Sequence, residues 1–272
     1  MPVSSTRKGG VCLLEISNPP HGILSSAGAK ELSAAIDAAL ADSLSRVVVL
    51  TGGDPGIFIR HFDLRSIRKA ANALSSNLIG PEAFIDAEFA RLTDRIADSE
   101  LPFIAAINGI CMGAGLELAL ACDLRIAQSD VAHIGLPEIR VDLLPGGGGT
   151  IRLARLIGEA AALDMALRGR TVTAERAWQL GIVGDLVDDA SRCALQIASA
   201  LAERDPNALS AIKRLVRSAH EEPLQAGLHA ERMAFATQIG ASEQAKARMD
   251  SLLASGRMLE TIPACDGEST RN

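Results

Sequence analysis

Residues 103–122, FIAAINGICMGAGLELALAC, constrain the fold more than any other part of the chain. The stretch is apolar for about the length of a membrane span, yet Asn108, Gly109, Gly113, Gly115 and Glu117 interrupt it. A lipid-facing helix would carry an amide, a carboxylate and helix-weakening glycines into hydrocarbon. A strand, a glycine loop and a helix fit instead, which puts the segment in a layered α/β domain.

The same alternation recurs along the first half. VCLLEIS (11–17), RVVVLTG (46–52), FIAAING (103–109) and DLRIA (123–127) are short apolar runs bounded by turn residues, and they predict strands. AKELSAAIDAALADS and DAEFARLTDRIADSELP (86–102) have apolar residues at helical spacing. Pro102 stops the second of these helices just before the FIAAI strand. From about residue 150, IRLARLIGEAAALDMAL, TAERAWQLG and SRCALQIASALAER predict successive helices, punctuated further on by Pro206 and Pro223. NALSSNLIGPEAF (72–84) is polar and irregular enough for a mobile flap. The closing residues from 261 have too little apolar content to pack and are expected to be a disordered tail. One core with a helical C-terminal extension accounts for this pattern.

Composition removes several function classes. A chain of 272 residues, 48% apolar, can bury a sizeable core. Its net charge of −6, with no basic run interleaved with aromatics, argues against nucleic acid as a partner. The five cysteines (12, 111, 122, 193 and 265) are odd in number and lack C-x-x-C spacing, and the five histidines show no H-x-x-x-H pair. This points to a reduced, metal-free protein. MPVSSTRKGG is basic, but the VCLLEI run after it is too short for a signal sequence and contains a Glu. A cytoplasmic protein without a membrane segment is expected.

The glycines at 109–115 place a strand end, a turn and a helix N-terminus together, presenting unpaired N–H groups suited to an anion or a developing oxyanion. G-x-G-x-x-G fails because Leu118 holds its third glycine position, and PGGGGT (145–150) lacks the Lys-Ser/Thr ending of a phosphate loop. Glu117 in an apolar helix could simply meet the helix dipole. An apolar ring around it would instead raise its pKa and poise it for proton transfer. Glu138, behind Pro137, is a second acid in a segment expected to pass over the same surface. Paired carboxylates in different surroundings can divide acid and base roles. Asp123, Asp130 and Asp142 are expected to be solvated turns or caps.

INGICMGAGLELALACDLRIA, GLPEIRVDLLPGGGGTIRLARLIG and LRGRTVTAERAWQLGIV resemble consecutive signatures of the crotonase family, most closely the enoyl-CoA hydratases. The resemblance implies a spiral of repeated ββα units over residues 1–200. It also implies a helical trimerisation region over 201–260, building a homotrimer or homohexamer. Its implied substrate is an acyl-CoA thioester, with coenzyme A as part of the substrate and no cofactor or metal. Glu117 and Glu138 match the acids that activate water and deliver a proton. The N–H groups of Phe62 and Ala114 match the oxyanion donors, Phe62 through GIFIRHFDL (56–64). His21, Gly22, Arg60, Phe62, Asp63, Leu64, Met112 and Pro137 are implied to line the CoA and acyl site.

Departures from the pattern accompany these matches. Ala114 replaces a usual glycine, and His61 and Phe62 replace a small pair, reshaping the ligand channel. His61 is a candidate third catalytic group, weighed against packing or a CoA contact. The segment between the two acids is one residue longer than usual, which bears on where Glu138 lies. Trp178 is expected in the core, and Cys111 and Cys122 are expected to be buried small hydrophobes. Hydration of a 2-enoyl-CoA leads. Isomerisation or thioester hydrolysis within the same family, and a non-catalytic acyl-CoA-binding protein, are the alternatives.

Overall fold

In the computed structural model, residues 3–259, 262 and 264–267 are described. The chain begins with β1 (Val3–Lys8), β2 (Val11–Ile16), β3 (Ile23–Leu24), α1 (Ser26–Ala41), β4 (Val47–Gly52), β5 (Gly56–Ile59), β6 (His61–Phe62) and α2 (Leu64–Ser75). A 3-10 turn, Pro81–Phe84, leads to α3 (Glu88–Asp98), β7 (Phe103–Ile107), β8 (Gly109–Met112), α4 (Ala114–Ala121), β9 (Leu124–Gln128) and β10 (Ile134–Gly135). A second 3-10 turn, Glu138–Val141, precedes α5 (Gly149–Ile157), α6 (Glu159–Leu167), β11 (Thr171–Val172), α7 (Ala174–Gln179) and β12 (Asp185–Val187). Four helices follow: α8 (Ala190–Ala202), α9 (Pro206–Ser218), α10 (Leu224–Ala241) and α11 (Glu243–Ser255).

The large sheet runs β1-β2-β4-β7-β9-β12, antiparallel at its first pair and parallel beyond it. Every residue of β4 and β7 is buried, as strands covered on both faces require. Their side chains alternate between two cores. Val47, Val49, Ile104 and Ala106 pack with Ala190, Ala194 and Ile197 of α8. Val48, Leu50, Phe103 and Ala105 face α1, α3 and α4 through Leu32, Ile36, Ile96 and Leu116. Among the described residues, no helix is long and apolar enough to cross a membrane.

Two strands differ from the sequence reading. The basic N-terminal segment forms β1, paired from Val3↔Ile16 to Lys8↔Val11. Its side chains are mostly exposed, so an edge strand leaves no apolar signature. Residues 109–112, read as part of a glycine loop, form β8 in a second sheet ordered β11-β10-β8-β5. Asn108 makes the passage between sheets, with its amide donating to Gly52 O (2.7 Å) and accepting from Gly52 N–H (3.0 Å). A β-carbon at Gly109 would collide with the Gly56–Ile57 backbone, so only glycine lets β8 approach β5 here. The repeated unit is therefore two strands and a helix.

The helical C-terminal half begins with a break: the single helix expected over 151–167 divides into α5 and α6 at Gly158, whose φ is +84°. Residue 200, the expected end of the core, falls inside α8, and residues 201–260 cover the rest of α8 and α9–α11. In the isolated chain, α10 and α11 expose Met233, Phe235 and Leu253. The flap expected at 72–84 contains the end of α2 and the first 3-10 turn. The expected tail at 261–272 lies mostly outside the described residues; of those described, Gly267 packs against Cys193 of α8.

Asp123 is not the solvated turn or cap expected. Its Oδ2 accepts Phe103 N–H (2.8 Å) and pairs with Lys213 Nζ (3.0 Å), while Oδ1 pairs with Arg217 (2.7 Å), fastening α9 to the core. Trp178, expected in the core, is 45% exposed because Ala174 and Ala177 provide the buried side of α7.

Candidate active site

All eight residues of α4 are buried, and Glu117 is only 4% exposed. A carboxyl group in such surroundings needs donors. They come from 30 and 32 residues further along: Gly147 N–H (2.6 Å) and Gly149 N–H (3.1 Å) both donate to Oε1. Glu117 thus lies at the N-terminus of α5, where unpaired N–H groups and the helix dipole favour negative charge. The dipole of its own helix is not its principal partner. Burial raises the Glu117 pKa, while the two glycine N–H groups and Arg152 act in the opposite direction.

The PGGGGT segment therefore acts on a protein carboxylate rather than on a phosphate. Two of its glycines are required by close approach. A β-carbon at Gly147 would collide with the Phe89 ring, and one at Gly149 would lie 2.9 Å from Glu117 Cγ and 3.0 Å from Leu136 Cδ2.

Glu138 begins the second 3-10 turn directly after Pro137. β10 pairs in parallel with Cys111 and Met112 of β8, and Gly113 N–H donates to Gly135 O (2.9 Å). That register carries the segment between the two acids back over the start of α4. A β-carbon built at Gly113 would be 3.1 Å from Glu138 Oε1. Glu138 Oε2 is buried with no hydrogen-bond partner among the described residues. Burial pushes the carboxyl up to about 7; its own N–H works against this, and the charge of Glu117 adds to it. The two acids consequently differ: one oxygen of Glu117 holds two donors, and one oxygen of Glu138 holds none.

The third side of the site is β6. It pairs in parallel with β3 through Ile23↔His61 and Leu24↔Phe62. Arg60 N–H donates to Gly22 O (2.9 Å) and Asp63 N–H to Leu24 O (2.8 Å). Donors on one edge of a regular strand are two residues apart; here they are three apart, so the hydrogen bonding of this short strand is irregular at His61 and Phe62. The same Gly113 β-carbon would lie 3.5 Å from His61 Cβ, which puts β6 beside the start of α4 at Ala114. His61 Nδ1 is 2.7 Å from Phe62 O, so this ring is tied to the adjacent backbone. The Phe62 ring meets Phe89 of α3 at 5.7 Å between centroids.

The residues expected to line the ligand fall into three groups. His21, Gly22 and Arg60 are joined directly, with Arg60 Nε donating to His21 O (3.0 Å). Gly22 has φ +61°, and a side chain there would collide with Ile57. Met112 ends β8 half-buried, and Pro137 immediately precedes Glu138. Asp63 also caps α2, accepting from Ser66 Oγ and the N–H groups of Arg65 and Ser66. The Ser66 hydroxyl contributes most to holding its carboxyl below the usual range. Leu64 opens α2 and is exposed. Cys111 and Cys122 are buried; desolvation raises both thiols, Cys122 to about 12. Among the described residues, no group of three or more His, Cys, Asp or Glu could hold a metal ion.

Sequence reasoning missed Gly147, Gly149, Phe89 and Arg152. The glycine run was visible, but a search for phosphate motifs could not reveal a carboxylate ligand whose donors are backbone atoms.

The chain is similar to known proteins along most of its length. The family model described as enoyl-CoA hydratase/isomerase matches residues 6–253. The 2,3-dehydroadipyl-CoA hydratase of Escherichia coli (strain K12) is 37% identical over 241 residues, covering 88% of this chain and 90% of that protein. The mitochondrial methylglutaconyl-CoA hydratase of Rattus norvegicus is 36% identical over 231 residues, covering 83% and 70%. A crystal structure of an enoyl-CoA hydratase from Polaromonas sp. JS666 superposes with a TM-score of 0.81 at 31% identity, covering 94% of this chain and 97% of that one.

Proposed function

The chain belongs to the enoyl-CoA hydratase/isomerase family and has the crotonase fold, and from that premise we propose that it adds water across the double bond of a 2-enoyl-CoA thioester. The observation that carries this reading is the inequivalence of the two acids. Glu117, with two N–H donors on Oε1, is suited to the ionised form; Glu138, with a bare buried Oε2 and a carboxyl near 7, can keep its proton at neutrality.

In the proposed reaction Glu117 takes a proton from water as the water oxygen bonds to the β-carbon. The electron pair of the double bond moves toward the thioester oxygen. The N–H groups of Phe62 and Ala114 receive that charge, and Glu138 gives its proton to the α-carbon. Exchange with solvent returns the two carboxyls to their starting states. The reaction needs no metal and no redox cofactor. Coenzyme A enters as part of the substrate, with His21, Gly22, Arg60, Asp63, Leu64, Met112 and Pro137 proposed to line its path. The exposed apolar side chains of α9–α11 support a homotrimer or a homohexamer.

The test is product mass after incubation with a panel of 2-enoyl-CoA thioesters. The panel includes acyl groups bearing a second carboxylate, because the relatives named above are hydratases of dehydroadipyl- and methylglutaconyl-CoA. Gain of one water, lost in Glu117→Gln and in Glu138→Gln, is expected. Unchanged mass with a shifted double bond would favour isomerisation, and release of free CoA would favour hydrolysis. Binding without turnover would favour the non-catalytic reading.

A further inference from the structure

Glu117 is held by a loop, and the loop is itself held from its far side. Gly147 gives its N–H to Glu117 Oε1, and its carbonyl receives Arg152 Nη1 (2.8 Å) and Thr93 Oγ1 (3.2 Å). The Thr93 hydroxyl also points at Ala90 O (2.9 Å), so its one proton is shared between two carbonyls and Arg152 provides the firmer grip. The other arm of the guanidinium, Nη2, binds Asp94 Oδ1 at 2.7 Å. The Arg152 side chain is 20% exposed and lies over Gly148, where a β-carbon would collide with it. Glycines restrict their own dihedral angles least, so the path of the 147–149 segment that carries both donors depends on what anchors the Gly147 carbonyl, which lies between them along the chain. A planar guanidinium with two engaged arms is suited to fixing it.

We infer that Arg152, anchored by Asp94 and assisted by Thr93, is a positioning residue that keeps the Gly147 and Gly149 donors aimed at Glu117. The inference rests on the reading of Glu117 as the base. Around Glu117 the charged and titratable groups are Glu138 on the second 3-10 turn, Arg152 on α5 with Asp94 of α3 behind it, and His61 of β6 beside Gly113. Arg152 therefore acts on Glu117 in two ways: through the loop geometry and through its charge.

The experiment compares pH profiles of kcat/KM for the full-length enzyme and its variants with a turned-over enoyl-CoA. Arg152→Gln is expected to lower kcat about tenfold or more, through misplaced donors, with a much smaller change in KM. It should also move the acid limb, which reports ionisation of the base, to higher pH. Arg152→Lys keeps the charge without the fork; it should leave the limb in place and restore part of kcat. Thr93→Val should lower kcat several-fold without moving the limb. If Arg152→Gln does not fold, Asp94→Asn carries the test. Asp94 is 64% exposed, and the variant should give a smaller kcat loss. An Arg152→Gln or, in its place, Asp94→Asn enzyme with unchanged kcat and unchanged acid limb overturns the inference. If Glu117→Gln is inactive beside it, the base assignment stands. An active Glu117→Gln would overturn that assignment itself.

Discussion

Glu117 and Gly147 lie 30 residues apart in the chain and are joined by a 2.6 Å hydrogen bond from the glycine N–H to the carboxyl. The bond couples the side chain of one helix to the loop that opens another, so the placement of this carboxyl is a tertiary property rather than a local one.

Gly149→Ala tests that coupling. The new methyl would press on Glu117 Cγ at 2.9 Å and Leu136 Cδ2 at 3.0 Å, with no open space beside it. The chain should fold with a loss of about 1–3 kcal/mol and lose about a hundredfold in kcat from the displaced carboxyl. Activity within a factor of about two of the parent would mean that Glu117 tolerates displacement.

Rate and stability should both carry the signature of Glu138, with its carboxyl near 7. The proposed role of proton donor requires the protonated form, so kcat/KM should fall as pH rises through about 7, and Glu138→Gln should remove that limb along with most of the activity. The stability effect follows from linkage. A carboxyl with its folded pKa above its unfolded pKa of 4.5 is penalised when ionised. Its penalty is absent below about 4.5, grows as pH rises to about 7, and is constant above that. Glu138→Gln should thus raise the melting temperature relative to the parent at pH 8 and not at pH 4. An equal difference at both values would rule out the raised carboxyl.

Asp123→Asn should loosen α9. Lys213, with a side chain 8% exposed, would lose its counter-charge while still bonded to the carbonyls of Ile96 and Leu101. A fully buried pair broken on one side costs about 3–5 kcal/mol; Asp123 is 18% exposed, so about 2–3 kcal/mol is expected from urea midpoints. Lys213→Met in the same chain should recover part of the loss. An unchanged midpoint would show that the pair does not hold the helix.

Thiol labelling of the native protein should reach Cys265 first. Cys12, Cys111, Cys122 and Cys193 are buried, whereas Cys265 is partly exposed beside Arg204. Peptide mass mapping after brief alkylation should find the label there and, until urea is added, little at Cys111 or Cys122. Early labelling of Cys111 would indicate local opening around β8.

Much of the core was legible because parallel strands buried on both faces leave unbroken apolar runs, as in VVVLTG and FIAAI. β1 was not, since an exposed edge strand looks like a polar terminus. β8 was hidden by the glycine that its contact with β5 demands. Glu117 and Glu138 stood out as acids in apolar or loop-like surroundings, and the structure puts Glu138 Oε1 beside Gly113, the residue that opens the helix of Glu117. Their supports did not stand out. Backbone N–H groups carry no residue signature, and the Arg152–Asp94 pair spans 58 positions. Asp123 was misread because what covers it is α9, which docks from far away in the sequence, and Trp178 because Ala174 and Ala177 take the buried side of its helix.

The loop that satisfies Glu117 also sets an order of events during synthesis. A nascent chain extended only through α4 and β9 has made the carboxyl and the apolar helix around it, but neither of the donors at 147 and 149. Until residues 147–149 are made, the Glu117 carboxyl has neither of these donors, and burying it ionised would carry the full cost of desolvation.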